Sequence, residues 1–119
     1  MLINLSNHPS AKWPENQINI ATKHYGNIID IPFPNIDPTG DEAYIANLAE
    51  HYLHEIMDIT NHDKAYIHIM GEMTFTHTLV NMLKNSNITC IASTTQRIVE
   101  ERPNGEKIVT FRFERFRNY

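Results

Sequence analysis

Apolar and polar positions alternate along this chain in blocks that change period from strand-like to helix-like. The clearest stretch is AYIHIMGEMTFTHTLVNMLKNSNITCIASTTQ, residues 65–96. A short apolar run over residues 65–70 stops at Gly71. Phe75, Leu79, Met82 and Leu83 then recur at helical spacing until Asn85, Ser86 and Asn87 break the pattern. A second apolar run over residues 88–92 ends in a hydroxyl cluster, Ser93, Thr94 and Thr95. Strand, turn, helix and strand make one βαβ unit, and both runs are continuous enough for parallel strands covered on both faces. The connection is too long for a hairpin and long enough for a crossover helix.

The rest of the chain extends this unit. Residues 1–5 read as a strand that ends in Ser6-Asn7-His8-Pro9-Ser10. Pro14 suits the first turn of a helix, with Trp13 packing ahead of it. Ile18, Ala21 and Tyr25 share its face, and Gly26 supplies a stop. Residues 27–31 read as a second strand, closed by Pro32-Phe33-Pro34 and a loop to Gly40. The next helix, residues 41–59, has an apolar stripe of Ile45, Leu48, Ala49, Tyr52 and Ile56, with Asp37 or Asp41 as its cap. Residues 61–64 read as a turn. After Gln96, two extended runs meet at Pro103-Asn104-Gly105, a strong hairpin signal, and Val109, Phe111 and Phe113 share a face of the last strand. The expected fold is α/β: a three-layer Rossmann-like sandwich over residues 1–119 as one domain. Its sheet is mostly parallel, in strand order 2-1-3-4, with a C-terminal antiparallel β-hairpin.

That topology brings three segments to the carboxyl edge of the sheet, where ligands bind in open α/β folds. They are the loop from Ser6 to Ser10, Gly71-Glu72-Met73-Thr74, and Ser93-Thr94-Thr95-Gln96 read as a loop after the fourth strand. Hydroxyls, amides and helix-start N–H groups suit an anion or a nucleotide, although the same residue types also serve as caps and turn formers. Asn7, Ser10, Gly71, Thr74, Ser93, Thr94, Thr95 and Arg97 are the candidate ligand-binding residues. His8 and Glu72 are the candidates for proton transfer, His8 as acid or base. Glu72 at a helix start also favours the helix dipole, which is a structural role. Neither phosphate fingerprint, the Walker loop or GxGxxG, is present.

Composition narrows the choice. The 119 residues are 41% hydrophobic and 20% charged, with a formal charge of −4. This gives no basic excess for long nucleic acid. No apolar stretch approaches the roughly 20 residues of a membrane span. The single cysteine, Cys90, lies in an apolar run and reads as a buried thiol. No secretory leader is visible, so a cytoplasmic location is expected. His51 and His54 lie at i, i+3 on a solvent face, but nothing nearby completes a metal site. His68 and His77 read as isolated, hydrogen-bonded structural residues. No cofactor or metal is expected. Arg97, Arg112, Arg115 and Arg117 read as a charged sheet face that could reach the ligand edge.

The strand ending LINLSNHPS and the run ASTTQR, set on this body, resemble the small stand-alone proteins of the CRISPR-associated Rossmann-fold (CARF) superfamily. The resemblance implies a homodimer that binds a cyclic oligoadenylate across its two-fold axis, in CRISPR-linked antiviral defence. Some stand-alone members of that superfamily are ring nucleases, so metal-independent cleavage of the signal by a ribose 2′-hydroxyl is implied as well. In that chemistry Ser10, Thr94, Thr95 and the backbone after Gly71 would be donors, His8 an acid or base, and Glu72 would orient a ribose or a base. With no room for an effector domain, signal degradation or sequestration is expected over a signal-activated toxin. The alternatives are a nucleotide sensor or sponge without turnover, and a scaffold protein with no ligand.

Overall fold

A computed structural model describes residues 1–61 and 63–119. Five strands, β1 (Leu2–Ser6), β2 (Ile28–Pro32), β3 (Tyr66–Met70), β4 (Thr89–Glu101) and β5 (Lys107–Asn118), form one sheet in the order β2-β1-β3-β4-β5. The first four are parallel, and β4 and β5 are antiparallel. Three helices connect the parallel strands: α1 (Glu15–Tyr25), α2 (Glu42–Thr60) and α3 (Met73–Asn85). The turn expected over residues 61–64 includes residue 62, which lies outside the described residues. Among the described residues no helix is long and apolar enough to cross a membrane.

Side chains alternate across the strands, and the two faces of the sheet collect two apolar clusters. Ile3, Leu5, Ile67 and Ile69 pack with Ala49 and Ile56 of α2 and with Phe75, Leu79 and Leu83 of α3. Leu2 and Ile91 pack on the other face with Trp13, Ala21 of α1, Phe113 and Phe116. Ile3, Leu5, Ile67 and Ile69 are fully buried, each contributing about 1.5–3 kcal/mol by the usual transfer scale. Helix starts and stops follow local chemistry. Asp41 caps α2 by accepting the Tyr44 N–H at 2.9 Å. Gly26 closes α1 at φ 91°, where a side chain would be strained.

One expectation is corrected. The fourth strand does not end at Ala92, and Ser93-Thr94-Thr95-Gln96 is not a loop. These residues lie within β4, paired with β5 from Ile91↔Asn118 to Glu101↔Lys107, with a bulge between Thr94 and Thr95. Pairing to β3 stops at His68↔Ile91, so beyond that point β4 has one neighbour and a solvated surface. Its residues therefore turn polar, and the apolar signal of a buried strand stops while the strand continues. The hairpin closes where expected. Gly105 sits at φ 84° and its N–H donates to the Arg102 carbonyl at 2.9 Å.

Candidate functional site

Three residues in adjacent strands form a polar row on the α1 face of the sheet. The register places Asn4 beside Asp30 on one side and His68 on the other. Asn4 is 1% exposed and His68 2% exposed, so their polar atoms need protein partners. Asn4 Nδ2 donates to Asp30 Oδ1 at 2.8 Å and to the His8 carbonyl at 2.9 Å. Asn4 Oδ1 lies 2.8 Å from both Ser6 Oγ and His68 Nδ1. His68 Nε2 lies 3.2 Å from Ser93 Oγ, whose other neighbour is Met70 Sδ at 3.1 Å. The His68 ring is held edge-on by Trp13 and Phe116, with centroids 5.1 and 5.7 Å away.

The row fixes the ionisation of its members. Burial, helped by the positive charge that His8 can carry, holds the His68 imidazole down at about pH 4, so it is neutral near pH 7. Partial burial pushes Asp30 up, but hydrogen bonds from the Ser10 side chain, Asn4 and the Ser10 N–H outweigh it, and the carboxyl titrates below its ordinary value. Ser10 Oγ donates to Asp30 Oδ2 at 2.6 Å and its N–H to Oδ1 at 3.0 Å. The β1–α1 loop is thus tied to the middle of β2. The indole N–H of Trp13 donates to the His8 carbonyl at 3.0 Å and braces the loop internally just ahead of α1.

An open cleft of about 450 Å³ lies above this row. It sits at the carboxyl ends of β1 and β3, where the winding of the sheet reverses. Of the sequence candidates, Asn7, His8, Gly71, Ser93 and Thr95 line it. Ser6, Lys12, Trp13, Gln17, His68, Met70 and Phe111 join them. The lining includes Lys12 and His8 but no carboxylate, although the whole chain carries −4. A small anion with an apolar or aromatic part fits such a wall: Lys12, the His8 ring and the amides for the anion, Trp13, Met70 and Phe111 for the rest.

The other candidates are placed elsewhere. Glu72 caps α3: its carboxylate accepts the Thr74 N–H at 2.7 Å, the Phe75 N–H at 3.2 Å and the Thr74 hydroxyl. Those bonds, led by the Thr74 hydroxyl, hold its carboxyl below the ordinary value. Thr74 faces a smaller cavity beside Gly40 and Asp41. Ser10 is bound to Asp30, and Thr94 exchanges hydrogen bonds with the backbone of Arg115. Arg97 is exposed on β4 opposite Phe111, and none of the four arginines lines the cleft. Gly71 is required by the ring of Phe33, which occupies the place a Cβ would take.

His51 and His54 are exposed on α2. Among the described residues no three His, Cys, Asp or Glu side chains converge in a way that could hold a metal ion. Cys90 is buried, and burial pushes its thiol up to about 11. Sequence reasoning left Asn4 and His68 outside the site. The available signal was a polar residue on the same alternate face of two otherwise apolar parallel strands.

A family model described as "Uncharacterized protein MJ1673 family" matches residues 1–117, so the chain belongs to that family. No curated protein and no solved structure matches it.

Proposed function

We propose that this member of the MJ1673 family binds a cyclic oligoadenylate in the cleft between β1 and β3 and cleaves it without a metal ion. The observation that carries the reading is the acid-free cleft wall, with Lys12 and His8 beside Trp13 and Phe111, at the sheet edge where the winding reverses. Lys12 and His8 suit a phosphodiester, and the aromatic faces suit stacking of a base. The resemblance of residues 2–10 and 92–97 to CARF proteins supports the same ligand class and a three-layer Rossmann-like arrangement. It also supports a place in CRISPR-linked antiviral defence, inside the cell.

Cleavage uses the ligand's own ribose 2′-hydroxyl, which attacks the adjacent phosphate. The protein then needs only to hold it in line and stabilise the developing charge. A second copy related by a two-fold axis doubles the loops around a two-fold ligand. Exposed Val99, Val109 and Phe111, on the face of β4 and β5 that runs on from the cleft, are apolar surface that a second copy would cover.

The test is incubation of the purified protein with cyclic oligoadenylates of several ring sizes, with and without chelator. Thermal shift, chromatography of products and sedimentation are read together. Linear products that persist with chelator support the full reading. Tight binding without products leaves a sensor or sponge. No binding and no cleavage would remove this ligand class.

A further inference from the structure

We propose that His68 is the proton acceptor of the cleft and that it takes the proton of a ligand hydroxyl through Ser93. The inference rests on the reading above for the identity of the ligand and on hydrogen-bond geometry for everything else. Two partners of Asn4, the Asp30 carboxylate and the His8 carbonyl, can only accept, so the nitrogen of the Asn4 amide must face them. Its oxygen therefore faces His68 Nδ1, 2.8 Å away. An amide oxygen cannot donate, so Nδ1 carries the proton. In the neutral ring Nε2 is then a bare lone pair, and the hydroxyl 3.2 Å from it, Ser93, is its donor.

The Met70 sulfur is a weaker acceptor and is already served by the Ser93 N–H at 3.3 Å. The chain thus runs Ser93, His68, Asn4, Asp30, each member oriented by the next. Trp13 and Phe116 keep the ring from turning. Burial keeps the imidazole neutral, so Nε2 is free of a proton.

With Ser93 giving its proton to His68, its Oγ lone pairs are left for a donor in the cleft. A ribose 2′-hydroxyl placed there hands its proton to Ser93 Oγ while the Ser93 proton passes to His68 Nε2. The O2′–P bond forms, the P–O5′ bond of a 3′–5′ linkage breaks, and the departing 5′ oxygen takes a proton from the His8 imidazolium or from water. The products are a 2′,3′-cyclic phosphate and a 5′-hydroxyl. Ser93 touches the substrate, and His68 acts through it.

Three measurements on the full chain test this. In 15N-histidine spectra without ligand, His68 should show a protonated Nδ1 and an unprotonated Nε2 between about pH 5 and 8, with the Nε2 resonance moving in S93A. In single-turnover cleavage, H68Q and S93A should each slow the reaction by about 100-fold or more while ligand affinity stays within about threefold. The glutamine amide of H68Q can still donate to Asn4, and S93A is a small change, so loss of fold does not mimic the result. A fluorophosphonate should label Ser93 in the wild type and not in H68Q, because His68 must accept the proton as fluoride leaves.

The opposite tautomer, H68Q cleaving at near wild-type rate, or products other than a 2′,3′-cyclic phosphate overturns the proposal. Binding without any cleavage overturns the relay and leaves the ligand assignment standing. If no cyclic oligoadenylate binds, the ligand assignment falls. The relay is then supported by the expected tautomer together with His68-dependent labelling, and overturned if either is missing.

Discussion

Removing the Asn4 side chain tests whether the polar row holds the sheet together. In Asn4→Ala the His68 Nδ1–H loses its acceptor at a site 2% exposed, which costs about 1–3 kcal/mol. Ser6 can turn to the His8 carbonyl at 3.2 Å, and the carbonyl keeps the Trp13 indole, so neither is stranded. Asp30 keeps Ser10 and is open to water, so its lost bond counts for little. The emptied space beside β1 adds about 1 kcal/mol. The expected loss is about 2–4 kcal/mol. For 119 residues the unfolding entropy near 60 °C is about 0.25 kcal/mol/K, so Tm should drop by about 8–16 °C.

Urea and thermal unfolding followed by circular dichroism give both numbers. His68→Leu and the double variant Asn4→Ala/His68→Leu complete a cycle. With no imidazole N–H left to strand, the double variant should be more stable than the sum of the single losses by about 1–3 kcal/mol. A cost below about 1 kcal/mol for Asn4→Ala, or additivity within about 0.5 kcal/mol, would refute the claim that these two side chains satisfy each other.

The remaining predictions concern charge and backbone. His68 takes a proton near pH 6.5 in the unfolded chain and only at about pH 4 in the folded one, so its contribution is full above pH 6.5 and is lost as pH falls to 4. The loss is about 3 kcal/mol, and urea midpoints of His68→Gln should lack that part of the pH slope. Glu72→Ala removes the cap of α3 and should cost about 1 kcal/mol without changing ligand affinity, as read by thermal shift. Abolished binding with Tm unchanged would show that the carboxylate serves the ligand instead. Gly71→Ala drives a Cβ into the Phe33 ring and should cost about 1–3 kcal/mol, which Phe33→Leu in the same chain should largely restore.

Strand order was legible because four apolar runs separated by two helical patterns and one proline-marked helix leave few right-handed arrangements. The hairpin was legible at Asn104-Gly105 for a local reason, the positive φ at Gly105 that glycine adopts easily. The length of β4 was not, because the apolar signal reports burial and Ser93 to Glu101 pair with β5 alone. For Glu72 the sequence offered both a dipole-favoured cap and a ligand contact, and the side-chain bonds to Thr74 and Phe75 show the cap. The row of Asp30, Asn4 and His68 was missed for a topological reason. These residues lie far apart in sequence, and only the register β2-β1-β3 makes them neighbours.

The cost of that row argues for its use. Central strands of a parallel sheet are covered on both faces, and apolar residues at positions 4 and 68 would meet that need with no polar group to satisfy. Instead the chain places an amide and an imidazole there, then supplies Asp30, Ser6, the His8 carbonyl and Ser93 to satisfy them. A row meant only for packing would close on itself. This one ends at one side in a carboxylate tied to the β1–α1 loop and at the other in a hydroxyl on the cleft wall. Its two ends therefore fix the loop that carries His8 and the Ser93 hydroxyl on the cleft wall. On the proposed relay, Asn4→Ala, at a residue that does not line the cleft, should slow single-turnover cleavage while ligand affinity holds, and an unchanged rate would count against the row's use.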